Sequence, residues 1–283
     1  MLTLGFATTP DTVALMPAYD TVTVTRDGAA TTIALNRPDA LNAWNRQLGA
    51  DLLAALQSAA DDDGVRAVRL TGTGRAFSSG ADLRDVTTME DERREDGTPD
   101  IERLLHERYH PIITLVREME KPVLASVNGP AAGIGASLAL ASDLVVAAES
   151  AYFLLAFINI GLVPDGGSSL LVPSRVGFAR AAEMAMLGER IPAPKALEWG
   201  LINRVAPDDS FGSESDALLE RLATGPTRAY AGAKRQLNAW VFGRMREQLA
   251  LEAAVQQEMA GSGDFAEGVA AFLERRTAVF GGR

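Results

Sequence analysis

The chain has no cysteine. Disulfides, thiolate nucleophiles and cysteine-ligated metals are excluded together, and this fits a cytoplasmic setting. Histidine is nearly absent: His106 and His110 are the only two, and both fall in "HERYH". No apolar run approaches the ~20 residues of a membrane span. The first twenty residues, "MLTLGFATTPDTVALMPAYD", carry no positive charge ahead of their apolar positions, which speaks against a secretory signal. Basic residues are in deficit, 27 Lys and Arg against 37 Asp and Glu, for a formal charge of −10. Nucleic acid and anionic membrane surfaces are therefore poor partners. An anionic small molecule would have to be held by backbone amides and a few local cations. What is present, 47% hydrophobic and 23% charged residues in a chain of 283, is enough to build the core of a globular enzyme.

"HERYH" matches H-E-x-x-H, in which two histidines one helical turn apart hold zinc while the glutamate acts as base. The spacing is met, but there is no third histidine. Pro111 follows at once, where a kink or break in the helix is expected. The plainer reading places Glu102, His106 and His110 on one helical face at i, i+4 spacing, without metal.

Alternation predicts strands at "TVTVT" (21–25) and "TTIALN" (31–36), joined through "RDGA". A helix is expected over 45–63, apolar at Leu48, Leu52, Leu53 and Leu56. Further strands are expected at 65–72, 122–127, 144–149, 152–157 and 201–206, and further helices at 100–120 and 131–142. The stretch "MEDERREDGTPD" (89–100) mixes both signs and reads as a solvated loop. From about residue 210 the patterns are helical only, with apolar positions at Leu237, Trp240, Val241, Leu249 and Leu251 that must be buried somewhere.

Three glycine-rich segments stand at strand-to-helix transitions, where unpaired N–H groups and the helix dipole favour negative charge. "GTGRAF" and "GIGASL" lack the third glycine of a dinucleotide fingerprint. "GRAFSSGADL" (74–83) and "NGPAAGIGASLALASDLVVAAE" (128–149) could instead each aim one backbone N–H into a shared pocket. Two such donors make an oxyanion hole, suited to a thioester enolate whose charge develops on a carbonyl oxygen.

With these loops, "LNRPDALNAW" (35–44), "KPVLASVNGPAAGIGASLALASDLVVAAE" (121–149), "IGLVPDGGSSLLVPSRVG" (160–177) and "ALEWGLINRV" (196–205), the sequence resembles the crotonase (enoyl-CoA hydratase/isomerase) superfamily over nearly all of the chain after about residue 20. The resemblance implies an α/β fold: a spiral of ββα units over residues 21–208, then a helical C-terminal trimerisation region, 209–283, with residues 1–20 as an N-terminal extension. It implies an acyl-CoA thioester substrate, no separate cofactor or metal, and a homotrimer or dimer of trimers. Carried onto this sequence, the oxyanion hole is the backbone N–H of Ala81 and of Ile134. Substrate contacts are expected from Ser79, Gly80, Ala81, Asp82, Leu83, Gly133 and Ile134. Ile134 stands where relatives often have glycine and is expected to narrow the site. Asp82 and Asp143 read as structural carboxylates.

The departures bear on the reaction. The resemblance places the two glutamates of the hydratases at Ser137 and Phe157, neither of which is an acid or base. A different carboxylate, Asp165 in "VPDGG", falls where some isomerases of the superfamily carry their single acid/base. One group can take a proton and return it, which suits a double-bond shift. The competing reading makes Asp165 the N-cap of a helix starting near Gly166. The expected activity is enoyl-CoA isomerisation with Asp165 as proton shuttle. The alternatives are a hydratase or lyase with atypical residues, and a non-catalytic acyl-CoA-binding member.

Overall fold

The computed structural model describes residues 19–84 and 93–283. Positions 1–18 of the expected extension and 89–92 of the mixed-charge stretch lie outside the described residues. Strands β1 (Val22–Asp27) and β2 (Ala30–Leu35) form an antiparallel hairpin with Val22 opposite Leu35, turned at Gly28 with φ +55°. Helix α1 (Arg46–Asp61) begins at Asn45, whose side chain accepts the Leu48 N–H at 2.9 Å, a cap worth ~1 kcal/mol. Leu48, Leu52 and Leu56 recur every fourth residue and are fully buried; truncating Leu52 to alanine should cost ~2–5 kcal/mol.

Strands β3 (Ala67–Gly72), β4 (Val123–Val127), β5 (Ala131–Ala132), β6 (Leu144–Ala148), β7 (Tyr152–Leu154), β8 (Ile191–Pro192) and β9 (Arg204–Ala206) complete two sheets. The larger has order β1-β2-β3-β4-β6-β9 and is parallel from β2 onward; the smaller has order β5-β7-β8. Every residue of β4, "VLASV", is buried, as a parallel strand covered on both faces requires. The expected strand 152–157 stops at Leu154. Residues Ala156–Ile160 instead make a 3₁₀ turn ended by Gly161 at φ +72°, and β8, a two-residue partner of β7, carried no sequence signal.

Helix α2 runs as Ile101–Leu104, a π-helical segment Leu105–Tyr109, and His110–Glu118. Of the kink or break expected at Pro111, the break does not occur: the helix continues to Glu118. The His110 N–H reaches back to the Leu105 carbonyl, an i→i+5 bond, and Pro111 falls in the first turn of the following α-helical run, where a missing N–H costs little. Then come α3 (Ile134–Ala141), α4 (Ser168–Leu187), α5 (Ala193–Glu198), α6 (Phe211–Thr224), α7 (Thr227–Val241), α8 (Met245–Ala260) and α9 (Gly263–Glu274). Among the described residues no helix is long and apolar enough to cross a membrane.

The four last helices are part of the body of the fold. Helix α6 buries Leu218, Leu219 and Leu222 against Ala67, Leu124 and Val146 of the sheet, and α8 packs on α2 and α4. Leu249 is buried, but Leu237, Trp240 and Leu251 are exposed, Trp240 by 88%. Asp143 joins α2 and α7 to the strands: it accepts the Val123 N–H at 2.8 Å and pairs with Arg117 at 3.2 Å and Lys234 at 2.8 Å. Removing one member of so buried a network typically costs ~3–5 kcal/mol.

Candidate active site

A cavity of about 330 Å³ opens between the two sequence-marked loops, the 3₁₀ turn, α2 and the α8–α9 pair. Of the residues expected to contact substrate, Ser79, Gly80, Ala81, Leu83, Gly133 and Ile134 line it, as does Asp165. Asp82 is occupied elsewhere: its carboxylate pairs with Arg37 at 3.0 Å and its N–H bonds the Trp44 carbonyl at 2.9 Å.

The first loop is stitched to its neighbours. The Trp44 N–H donates to the Gly80 carbonyl at 2.8 Å, and Phe77 and Ser78 donate to the Pro130 carbonyl at 3.1 and 3.0 Å. The second loop is fastened through Ala132 N–H to Ser78 O and Gly133 N–H to Leu154 O, both at 2.9 Å. The Ala81 N–H bonds no other described residue, and Ile134 opens α3, where first-turn N–H groups have no helical partner. Gly80 and Gly133 take φ +96° and +51°, and a Cβ built on Gly80 would lie 3.7 Å from the Gly133 Cα. The loops thus touch at their glycines. Two free donors, one at the positive end of a helix, stand on the adjacent residues. Such a pair can hold an oxygen that gains charge.

The third glycine-rich turn presents a side chain. The N-cap of α4 is Gly167, with φ +82° and no side-chain cap of its own. Glu252 of α8 does the capping: it accepts the Gly167 N–H at 2.8 Å, the Ser169 N–H at 3.0 Å and the Ser169 hydroxyl. The capping reading of Asp165 is thereby corrected. Its carboxylate instead lines the cavity, with Oδ2 accepting Gln256 Nε2 at 2.7 Å and Oδ1 without a partner among the described residues. Burial first, and then the charge of Glu252, push its pKa up to about 8 against the Gln256 hydrogen bond. Burial likewise pushes Glu252 up to about 7, opposed by its hydrogen-bond donors.

The comparisons with known proteins bear on this arrangement. A family model described as "Enoyl-CoA hydratase/isomerase" matches residues 25–283. The chain belongs to the enoyl-CoA hydratase/isomerase family. A "Probable enoyl-CoA hydratase" from Rhodobacter capsulatus is 43% identical over 94% of this chain and 100% of that one. A "1,2-epoxyphenylacetyl-CoA isomerase" from Escherichia coli is 39% identical over 89% of this chain and 95% of its own. The crystal structure of an enoyl-CoA hydratase from Mycobacterium avium subsp. paratuberculosis has a TM-score of 0.83 at 39% identity, covering 93% of this chain and 99% of that one. The crotonase-type fold and acyl-CoA chemistry stand on these matches, while the relatives' names include hydratases, isomerases and dehalogenases.

Within this family fold, the two positions flagged as departures have other tasks. The Ser137 hydroxyl donates to the Asp165 carbonyl at 2.8 Å, and Phe157 is a buried wall of the cavity beside Gly133. The Ile134 side chain packs against the Asp165 turn. Its Cδ1 lies 2.4 Å from where a Cβ on Gly166 would stand, so it fills the space above the Asp165 turn that only glycine leaves open. The histidines of HERYH lie outside the cavity; from the same helix Tyr109 reaches it. His106 and His110 meet edge to face, 5.2 Å between centroids, beside a separate shallow cavity with Glu118 and Met119. No cluster of three potential metal ligands forms among the described residues. His110 is buried, and burial, then the nearby His106, lower its pKa to about 4. Glu102 pairs with Arg94 at 2.7 Å.

Sequence reasoning missed Glu252 and Gln256. In "LALEAAVQQEMA" they look like the wet face of a terminal helix. A signal was present: Leu249, Glu252, Ala253, Gln256 and Ala260 follow the i, i+3, i+4, i+7 stripe, and all are buried. Polar residues inside an apolar stripe are the informative exception, because a buried polar group must find a partner.

Proposed function

We propose that this chain is an enoyl-CoA isomerase that moves a double bond through an oxyanion-stabilised thioester dienolate. The observation that carries the reading is that Asp165 is the one carboxylate lining the cavity among the described residues, with Oδ1 buried and unpartnered. The Ala81 and Ile134 N–H groups hold the thioester oxygen. Asp165 Oδ1 takes a proton from the carbon next to the thioester, and the C–H electron pair moves into the conjugated system, leaving the charge on that oxygen. The same oxygen of Asp165 returns the proton two carbons farther along the chain. Charge stabilisation of this kind is commonly worth ~10²–10³-fold per donor, and general acid–base transfer adds ~10²–10⁴-fold. A carboxyl pushed up to about 8 is a stronger base than a free one and still exchanges its proton near neutral pH. The proton transfer as written uses no cofactor.

Incubation with a panel of 2-enoyl- and 3-enoyl-CoA esters, with products read by mass and NMR, tests this. Isomerisation leaves the mass unchanged and moves the olefinic protons; hydration adds the mass of water and overturns the isomerase reading. Binding without turnover across the panel supports the acyl-CoA-binding alternative instead. The same reading extends to assembly as a homotrimer or dimer of trimers, supported by the exposed Phe178, Leu237 and Trp240, whose apolar area calls for a partner. Sedimentation that finds a monomer at micromolar concentration contradicts it.

A further inference from the structure

The structure assigns Glu252 and Gln256 of α8 as positioning residues for the proton carrier: Gln256 reserves one oxygen of Asp165 and leaves the other to the substrate, while Glu252 sets a second negative charge behind the same turn. This rests on the reading of Asp165 as the proton carrier. Gln256 is completely buried. Its Oε1 accepts the Val163 N–H at 3.1 Å and its Nε2 donates to Asp165 Oδ2 at 2.7 Å. The Val163 bond fixes the amide's orientation, because a flipped amide would set Nε2 against that N–H and oxygen against oxygen at Asp165. Glu252, one turn earlier on the same face, holds Gly167 and Ser169. Two side chains on one helix thus grip residues 163, 165, 167 and 169 of one turn from 83 to 93 residues away in sequence.

The two grips act in opposite senses on the Asp165 carboxylate. A donated hydrogen bond favours the ionised form, and a neighbouring negative charge disfavours it. Little else competes. Helices α3 and α4 present hydroxyls, Ser137 and Ser168, and both bond the Asp165 backbone carbonyl. From α2, Tyr109 lines the cavity while His106 and His110 line another; Arg276, beyond α9, lines the cavity and pairs with Glu267 and Glu274. The glycine loops offer only backbone. A purely mechanical clamp would affect stability and rate but would leave the ionisation of Asp165 in place.

The pH profile of kcat/KM separates these possibilities, measured on the full-length protein with an enoyl-CoA ester it isomerises, alongside the Tm of each variant. Gln256→Leu should move the acidic limb upward by about one pH unit, with kcat falling about tenfold near neutrality, since below the pKa a one-unit rise cuts the ionised fraction to about a tenth of its former value, and KM little changed. Gln256→Glu, close in shape, should move the limb farther up by adding a negative charge. Glu252→Gln should move it down. Limbs that stay at the wild-type position in all three folded variants, with only Tm lowered, overturn the inference. Asp165→Asn is the control on the underlying reading: if it keeps the wild-type rate, that reading fails first, whereas a lost rate with unmoved limbs defeats only the positioning role.

Discussion

The Gly80–Ala81 and Gly133–Ile134 loops offer backbone N–H groups and are fastened by neighbours in the same α/β layer: Trp44, Pro130 and Leu154. The Asp165 turn offers a side chain and is fastened by Glu252 and Gln256 from a helix near the end of the chain. The difference separates two kinds of chemistry. A backbone donor survives any side chain that leaves the loop's path intact, which is why Ile134 can stand at the start of α3. A proton carrier is a matter of residue type and of the groups around it. Serine at 137 and phenylalanine at 157 offer no acid or base, the N–H groups of Ala81 and Ile134 stand beside them unchanged, and in the proposed reading Asp165 carries the proton instead. Relatives named for hydration and for isomerisation are what such a division allows.

The largest test of this division is Asp165→Asn. With the proton carrier gone and the donors untouched, turnover should fall by ~10²–10⁴-fold with thioester affinity held, as measured by steady-state kinetics and calorimetric binding. Loss of binding together with rate would mean that the two sides are not separable.

A smaller effect is expected where the two sides touch. A Cβ at Gly166 would meet Ile134 Cδ1 at 2.4 Å and Ser137 Cβ at 3.0 Å, in a residue at φ +61°. Gly166→Ala should therefore displace both the turn and the start of α3, costing up to ~10²-fold in rate. Adding Ile134→Val removes the clashing Cδ1 and should restore part of that loss, while the backbone strain remains. No recovery in the double variant would show that Ile134 and the Asp165 turn are not in contact.

The pH dependence of stability also distinguishes the sides. Asp165 rises from 3.8 to about 8 and Glu252 from 4.5 to about 7 in the folded chain. Groups raised on folding contribute stability that is present below their unfolded pKa and is lost as pH climbs through the folded one. Tm should thus decline between about pH 4 and pH 8, and Asp165→Asn should flatten the decline without abolishing it, since Glu252 remains. A variant whose Tm falls as steeply as the wild type would argue against a buried, neutral Asp165.

The smallest effect belongs to HERYH. His110 drops from 6.5 to about 4 on folding. The sign is opposite: stability is present above about 6.5 and is lost as pH falls toward 4. His110→Phe should blunt acid destabilisation by a few degrees in Tm or less, with turnover of a CoA ester unchanged, because the histidine lies outside the cavity. Metal analysis of protein purified without chelator should find no stoichiometric zinc; one zinc per chain, abolished by His106→Ala, would contradict this reading of the motif.

The legibility of the molecule follows the same split. Strands β1 to β4, α1 and both donor loops could be read from local pattern because their partners are close in sequence or made by the backbone. The π-helical segment could not: its extra residue per turn leaves no mark in the i, i+4 spacing of His106 and His110, yet it lets the helix continue through Pro111. Asp165 was legible as a residue, but its freedom from capping was not. That freedom depends on Glu252 reaching Gly167 and Ser169, 85 and 83 residues away in sequence, and no local window contains it. The exposed Trp240 and Leu237 show the same limit, since an apolar stripe says that burial is required and not what supplies it.

Turnover of a 3-enoyl-CoA ester in D₂O, followed by NMR and mass, tests most directly whether one buried carboxyl takes and returns the proton. The account expects a product with no added water and with a share of protium retained at the carbon that receives the proton, because Asp165 is shielded from solvent; both the product and the transfer should vanish in Asp165→Asn. A hydrated product, or an Asp165→Asn variant that isomerises at the wild-type rate, would contradict it.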